Sequence, residues 1–195
     1  MQRPIRRRMS GMSTALELVE AASANAIGTI TLNNPRKRNA LSRELIDELC
    51  AALERMRQQE IRVVILRAPA RSKVFSSGHD VREIPTKGRD PLTYTDPLRR
   101  LIRSIELFPA PVVAMVEGSV WGGACELVMS CDLIIAAEDC TFAVTPAKLG
   151  MPYNLSGVQN FLNSGGVPLC KEMLFTAQPL PVKRLVARGI VTVGC

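Results

Sequence analysis

The amino-acid sequence predicts an α/β fold whose strands pair in parallel and whose functional groups lie at strand ends. Two observations carry that expectation. An apolar strand, an amphipathic helix and a second apolar strand follow one another between residues 26 and 66. A second strand–helix–strand succession then runs from Pro111 to Ala137. A strand that re-enters a sheet after a helix pairs in parallel with its predecessor, and ligand sites in such sheets gather at the strand ends.

Taken in order, Leu16 to Val19 and Ala26 to Leu32 read as two short strands, the second alternating as Ile27, Thr29, Ile30 and Leu32 before Asn33-Asn34-Pro35 turns the chain. Ser42 is placed to cap a helix in which Leu45, Ile46, Leu49, Ala52, Leu53 and Met56 recur at helical spacing to about Gln59. Ile61 to Leu66 is the next buried strand. Pro85 to Thr95 is polar loop, and Asp96-Pro97 starts a helix with Leu98, Leu101, Ile102 and Ile105 as its apolar stripe. Pro111 to Val116 reads as a strand, Gly118 as a turn, Ala124 to Ser130 as a helix and Leu133 to Ala137 as the return strand. Phe142 to Asn154 is irregular. Beyond Ser156 the pattern is helical with a break at Gly165-Gly166, and Pro181 to Arg188 forms a last helix capped by Gly189.

The chain has 195 residues, enough for one substantial core, and 47% of them are apolar. Its formal charge is +7, but Arg3, Arg6, Arg7 and Arg8 supply four of those charges from a basic arm. That leaves scattered basic residues and few aromatics, a poor match to a nucleic-acid surface. No apolar run approaches the ~18 residues that span a bilayer. The six cysteines form no C-x-x-C pair, which favours reduced thiols in a cytoplasmic setting over a disulfide framework. His79 is the single histidine, so no regularly spaced metal-ligand set stands out. Residues 1–12 are expected to be a disordered arm or tag and residues 13–195 the core domain.

Two glycine-marked turns, Gly78-His79 and Gly122-Gly123, each follow a strand of what reads as one sheet. Glycine lets other groups approach the backbone, and the first N–H groups of a helix lack internal partners. If the turns adjoin, the N–H groups of His79 and Gly123 converge on one oxygen. Such a pair stabilises an enolate or tetrahedral anion, and losing one donor costs ~3–4 kcal/mol of barrier. The plain alternative is two tight corners. His79 has two readings, general base or loop residue with a donating N–H. Glu126 is either a supporting acid or structural, and Trp121 reads as packing.

The residues Asn39-Ala40-Leu41, Phe75-Ser-Ser-Gly-His-Asp80, Gly118-x-x-x-Gly-Gly-x-x-Glu126, Cys131-Asp-Leu-Ile-Ile-Ala136, Leu149-Gly150 and Ala187-Arg-Gly-Ile190 resemble the crotonase (enoyl-CoA hydratase/isomerase) superfamily in register from about residue 16 to 195. The resemblance implies a crotonase-like spiral of β-β-α units that stops short of the superfamily's C-terminal helical segment. It implies an acyl-CoA thioester as ligand, no cofactor (coenzyme A enters only as part of the substrate), and a homo-oligomer, trimer or hexamer. It places the thioester oxygen on the N–H groups of His79 and Gly123. The CoA groove falls along Lys37, Arg38, Asn39, Ala40, His79, Asp80, Val81, Arg82 and Glu83, with Arg36 as a further phosphate contact and Thr145 in the acyl pocket.

Hydratases of this superfamily use two glutamates. Glu126 keeps the first, but the second falls on Pro146. Together with Lys73 to Asp80, Gly88 to Leu92, Val116 to Gly123 and Leu149-Gly-Met-Pro-Tyr-Asn154, this departure resembles the methylmalonyl-CoA decarboxylase branch, in which a tyrosine occupies the place of Tyr153. Decarboxylation of a malonyl-type thioester needs no general base, because the carbonyl is already an electron sink. Tyr153 is then expected to hold the departing carboxylate, the alternative being a packed tyrosine. The rival functions are another crotonase reaction, such as enoyl-CoA hydration or isomerisation, and a truncated acyl-CoA-binding protein without catalysis.

Overall fold

The computed structural model describes residues 17–84 and 96–194. The basic arm, the polar segment 85–95 with its Gly88 to Leu92 motif, and Cys195 lie outside the described residues.

Two sheets form the core. The larger has six strands: β1 (Val19–Ala24), β2 (Ile27–Leu32), β3 (Val63–Arg67), β5 (Val112–Val116), β7 (Leu133–Ala136) and β10 (Val193–Gly194). Only β1 runs antiparallel to its neighbour; the other pairings are parallel. The smaller sheet holds β4 (Val74–Ser76), β6 (Ser119–Trp121), β8 (Thr141–Ala143) and β9 (Leu180–Pro181). The helices are α1 (Arg43–Gln58), α2 (Pro97–Glu106), α3 (Gly123–Met129), α4 (Leu155–Lys171) and α5 (Val182–Val186).

The periodicities that predicted the helices also set their buried faces. The buried residues of α1 are Leu45, Ile46, Leu49, Ala52, Leu53 and Met56, and the Ser42 hydroxyl accepts from the Leu45 N–H at its start. Helix α2 buries Leu98, Leu101, Ile102 and Ile105 and is capped by the Asp96 carboxylate. These faces pack on Val64, Leu66, Val112 and Ala114 of the larger sheet, all nearly inaccessible to water. Removing that apolar area from water is the main driving force for the layer. Helix α4 is broken at Gly166, whose φ of 69° and ψ of 174° are not helical, two residues before Pro168.

Two expectations need correction. The first strand is Val19–Ala24, beyond the Leu16–Val19 expected for it. It carries little apolar pattern, because five of its six residues are exposed and only Val19 is buried. Its backbone ladder with β2 and the left-handed Asn25-Ala26 turn hold it instead. The two glycine turns do follow strands of one sheet, as expected, but those strands are not Ile61 to Leu66 and Pro111 to Val116. The turns follow β4 and β6, which are neighbours in the smaller sheet. Three-residue strands show too few alternations to be read as periodic.

Gly118 makes the crossing between the sheets, leaving β5 and entering β6. Its φ is 79°, and a Cβ there would lie 2.4 Å from the Lys73 carbonyl carbon and the Ser72 oxygen. Both are backbone atoms that cannot swing aside. Gly118→Ala is therefore expected to cost about 2 kcal/mol or more through strain and collision. A melting temperature equal to the wild type would show that the crossing has slack.

Candidate active site

Each corner of the site ends a short strand. After β4 the chain makes the Gly78 turn, with φ of 81°, and after β6 it makes the Gly122 turn, with φ of 52°, before entering α3. A Cβ on Gly78 would meet the Trp121 carbonyl oxygen at 2.4 Å and the Gly123 nitrogen at 3.1 Å. A Cβ on Gly123 would fall 2.8 Å from His79 Nδ1 and 2.8 Å from Leu98 Cδ2. The corners interlock, and only glycine fits at both contacts. Neither the His79 nor the Gly123 N–H finds an acceptor among the described residues. Their neighbours do: Gly122 N–H donates to Ala143 and Asp80 N–H to Leu41.

The corners face a cleft, open at its mouth, lined by Ser77, His79, Val81, Ile84, Gly122, Gly123, Thr145, Pro146, Leu149, Met151 and Tyr153. Thr145 and Tyr153 thus share it with both donor corners. Pro146 begins the 3-10 turn Pro146–Leu149 on the cleft wall.

Glu126 lies on α3, a helix whose seven residues are all buried. Its carboxylate accepts from the Tyr153 hydroxyl at 2.8 Å. Burial raises its pKa from the usual 4.5 to about 7, against the pull of the Tyr153 hydrogen bond. Burial, followed by the charge of Glu126, holds the Tyr153 phenol well above its ordinary value, so it is neutral at physiological pH. The tyrosine ring stands edge-on to Phe161 at 5.5 Å.

Three residues of the site were not singled out from the sequence. Gly157, in the first turn of α4, leaves room for the pair: a Cβ there would lie 2.2 Å from Tyr153 Cε1 and 2.7 Å from Glu126 Oε2. Glycine is a poor helix former, and its presence inside a helix pattern was the available signal. Asp96 was read only as a helix cap, yet both its carboxylate oxygens lie 3.2 Å from His79 Nε2. Leu98, read as core, touches the Gly123 corner.

The segment expected to line a CoA groove is stitched to the first corner. Leu41 N–H donates to Gly78, Ser77 N–H to Arg38, and Ser76 Oγ to Asn39. Arg36, Lys37 and Arg38 are exposed, and Ala40 is buried. The Asn39 side chain is buried, donating to the Phe75 carbonyl and accepting from the Asn34 N–H, so it shapes the loop. Asp80 is likewise turned inward and accepts from the Arg82 guanidinium, whose hydrogen bond holds its pKa down at about 2 despite the opposing effect of burial. Arg82 therefore enters any phosphate contact already paired. Glu83 accepts from the Arg43 N–H at the start of α1, and Val81 is exposed at the cleft. The Trp121 indole donates to Ser119 Oγ.

A family model described as enoyl-CoA hydratase/isomerase matches residues 22–193. The chain belongs to this family. It is 51% identical over 175 residues to the methylmalonyl-CoA decarboxylase of Escherichia coli K12, covering 90% of this chain and 67% of that protein. It is 35% identical to the mitochondrial enoyl-CoA hydratase domain-containing protein 3 of Danio rerio, covering 96% of this chain and 64% of that one. A structure of methylmalonyl-CoA decarboxylase with 2-nitronate-propionyl-CoA superposes with a TM-score of 0.89 at 50% identity, covering 93% of this chain and 70% of that one. The complex with 2S-carboxypropyl-CoA also gives a TM-score of 0.89, at 49% identity and the same coverage. The chain thus spans about two-thirds of the length of these curated relatives. The fold is crotonase-like.

A carboxyl whose pKa is raised by folding binds its proton more tightly in the native state, so stability falls as pH rises from the unfolded to the folded value. Between pH 4.5 and about 7, ionisation of Glu126 is expected to remove up to about 3 kcal/mol of stability. Glu126→Gln keeps an acceptor for Tyr153 and should abolish that loss. Chemical denaturation of both proteins at pH 5 and pH 8 checks it; equal pH slopes would mean that Glu126 is not desolvated.

Proposed function

We propose that this protein decarboxylates a malonyl-type CoA thioester, methylmalonyl-CoA in the first instance, to propionyl-CoA. The observation that carries the proposal is the pair of unengaged N–H groups, on His79 and Gly123, at interlocked corners of a cleft that also contains Tyr153. Half the sequence being identical to a methylmalonyl-CoA decarboxylase supports the same reading.

The thioester oxygen binds between the two N–H groups. The bond from Cα to the carboxylate breaks, its electron pair enters the thioester, and carbon dioxide departs. The oxygen becomes an enolate oxygen, and fixed donors hold that charge more strongly than they hold the neutral carbonyl. Cα then takes up a proton. No cofactor enters, because the thioester is the electron sink.

The Tyr153 hydroxyl has one proton, and with Glu126 ionised that proton points at Glu126. A substrate carboxylate arriving nearby disfavours a second negative charge and keeps Glu126 protonated. Glu126 then donates to the Tyr153 oxygen, and the phenol proton turns to the substrate. Held there, the carboxylate bond can stand perpendicular to the thioester plane, where overlap with the developing enolate is greatest. Thr145, Pro146 and Met151 supply the wall against which the acyl methyl rests.

Purified protein incubated separately with methylmalonyl-CoA and crotonyl-CoA is expected to release carbon dioxide and propionyl-CoA from the first and to leave the second unhydrated, as read by mass spectrometry. Hydration without decarboxylation would overturn the proposal. Tyr153→Phe should lower kcat by tenfold or more while leaving CoA binding within about twofold; unchanged turnover would remove Tyr153 from the mechanism.

A further inference from the structure

The two donors share an abutment that neither glycine turn explains by itself. The first turn of α2 touches both corners: Leu98 packs against Gly123, and Asp96 receives the imidazole of His79. Each of the two Asp96 oxygens lies 3.2 Å from Nε2, and both side chains are only 13% exposed. Asp96 also accepts from the Leu98 N–H at 2.9 Å, so one carboxylate ties the helix start to the donor loop. On the other side of the ring, Nδ1 sits against Gly123. The imidazole is therefore a strut between the start of α2 and the corner that carries the second donor.

We infer that Asp96 is a positioning residue for catalysis: by holding the His79 ring with its proton on Nε2, it fixes the backbone N–H of His79 relative to that of Gly123. This rests on the decarboxylase reading for its kinetic consequence, though not for the contact itself. A carboxylate can only accept, so Nε2 must donate, and in the neutral form of the ring Nδ1 is the unprotonated nitrogen toward Gly123. Burial works to raise the Asp96 pKa, but the hydrogen bond from His79, with that from the Leu98 N–H, outweighs it and holds the group below its usual range. An oxyanion site loses most of its advantage when its donors are misaimed by a fraction of an ångström. A mobile imidazole would let the His79 N–H drift.

Two substitutions separate positioning from helix capping. Asp96→Ser keeps a strong N-cap for α2 but is too short to reach the imidazole. Asp96→Asn keeps both the cap and an acceptor oxygen of the same reach. Asp96→Ser is expected to lower kcat at least tenfold with KM within twofold and a melting temperature within a few degrees of wild type. Asp96→Asn should retain clearly more activity than Asp96→Ser. His79 is the only histidine in the chain, so 15N-detected imidazole signals report its tautomer without assignment. The neutral ring should carry its proton on Nε2 in the wild type and in Asp96→Asn, and become a tautomer mixture in Asp96→Ser. Wild-type kcat in Asp96→Ser, or a wild-type ring protonated on Nδ1, overturns the inference. Absence of wild-type decarboxylation would instead defeat the decarboxylase reading, while the tautomer measurement would still decide whether Asp96 holds the ring.

Discussion

The contact on which the site depends is the interlocking of two backbone corners that begin on adjacent short strands. Gly78 lies so close to Trp121 and Gly123 that no side chain fits between them, and Gly123 in turn receives the His79 ring. Close approach of this kind is available only where Cβ atoms are missing. It requires β4 and β6 to be parallel neighbours, because both turns then leave the sheet at the same end. The smaller sheet, although built from very short strands, is thus the element that brings two unengaged N–H groups together. The six-stranded sheet and its helices supply the rigid support beneath it.

Among the described residues, two acids flank those donors, Glu126 and Asp96, and each has a hydrogen-bonded partner. The Tyr153–Glu126 pair is buried under α4, with Gly157 providing the space. The His79–Asp96 pair closes the opposite side at the start of α2. Burying charged groups is costly unless they are bonded, and both pairs meet that condition. The two pairs differ in one respect that matters for chemistry. Asp96 is held ionised by its partner, whereas Glu126 is displaced toward neutrality by burial. One acid is a fixed anchor and the other can exchange its proton with the phenol beside it.

Much of this architecture could be read from the sequence. The helical stripes of α1 and α2, the parallel pairing of β2 with β3, and the caps at Ser42 and Asp96 follow from periodicity and local chemistry, which long elements display over many residues. The strands β4, β6 and β8 were not legible from pattern, since three residues cannot establish an alternation. The adjacency of the two glycine turns therefore had to be inferred, and the short strands that carry them went unseen. Asn39 shows the other limit. The resemblance places Asn39 along the groove, and it gives no sign that the side-chain amide also ties Phe75 to Asn34. Asp96 had a sufficient local explanation as a cap, which concealed that the same carboxylate serves His79 across 17 residues of chain.

The acids near the cleft bear on which reaction it can support. Hydration requires water to be activated and Cα to be protonated, so two carboxyl groups must act on opposite sides of the substrate. No Asp or Glu is among the described residues that line the cleft, so Glu126 would have to serve both purposes, and its bond to Tyr153 already commits it to the phenol. Loss of carbon dioxide from a malonyl-type thioester makes a smaller demand: the negative charge is generated by the substrate, and the protein need only receive it at the oxygen. Two fixed donors and a neutral hydroxyl satisfy that demand. On the proposed reading the two corners therefore suffice for the enolate, and a second acid is not required.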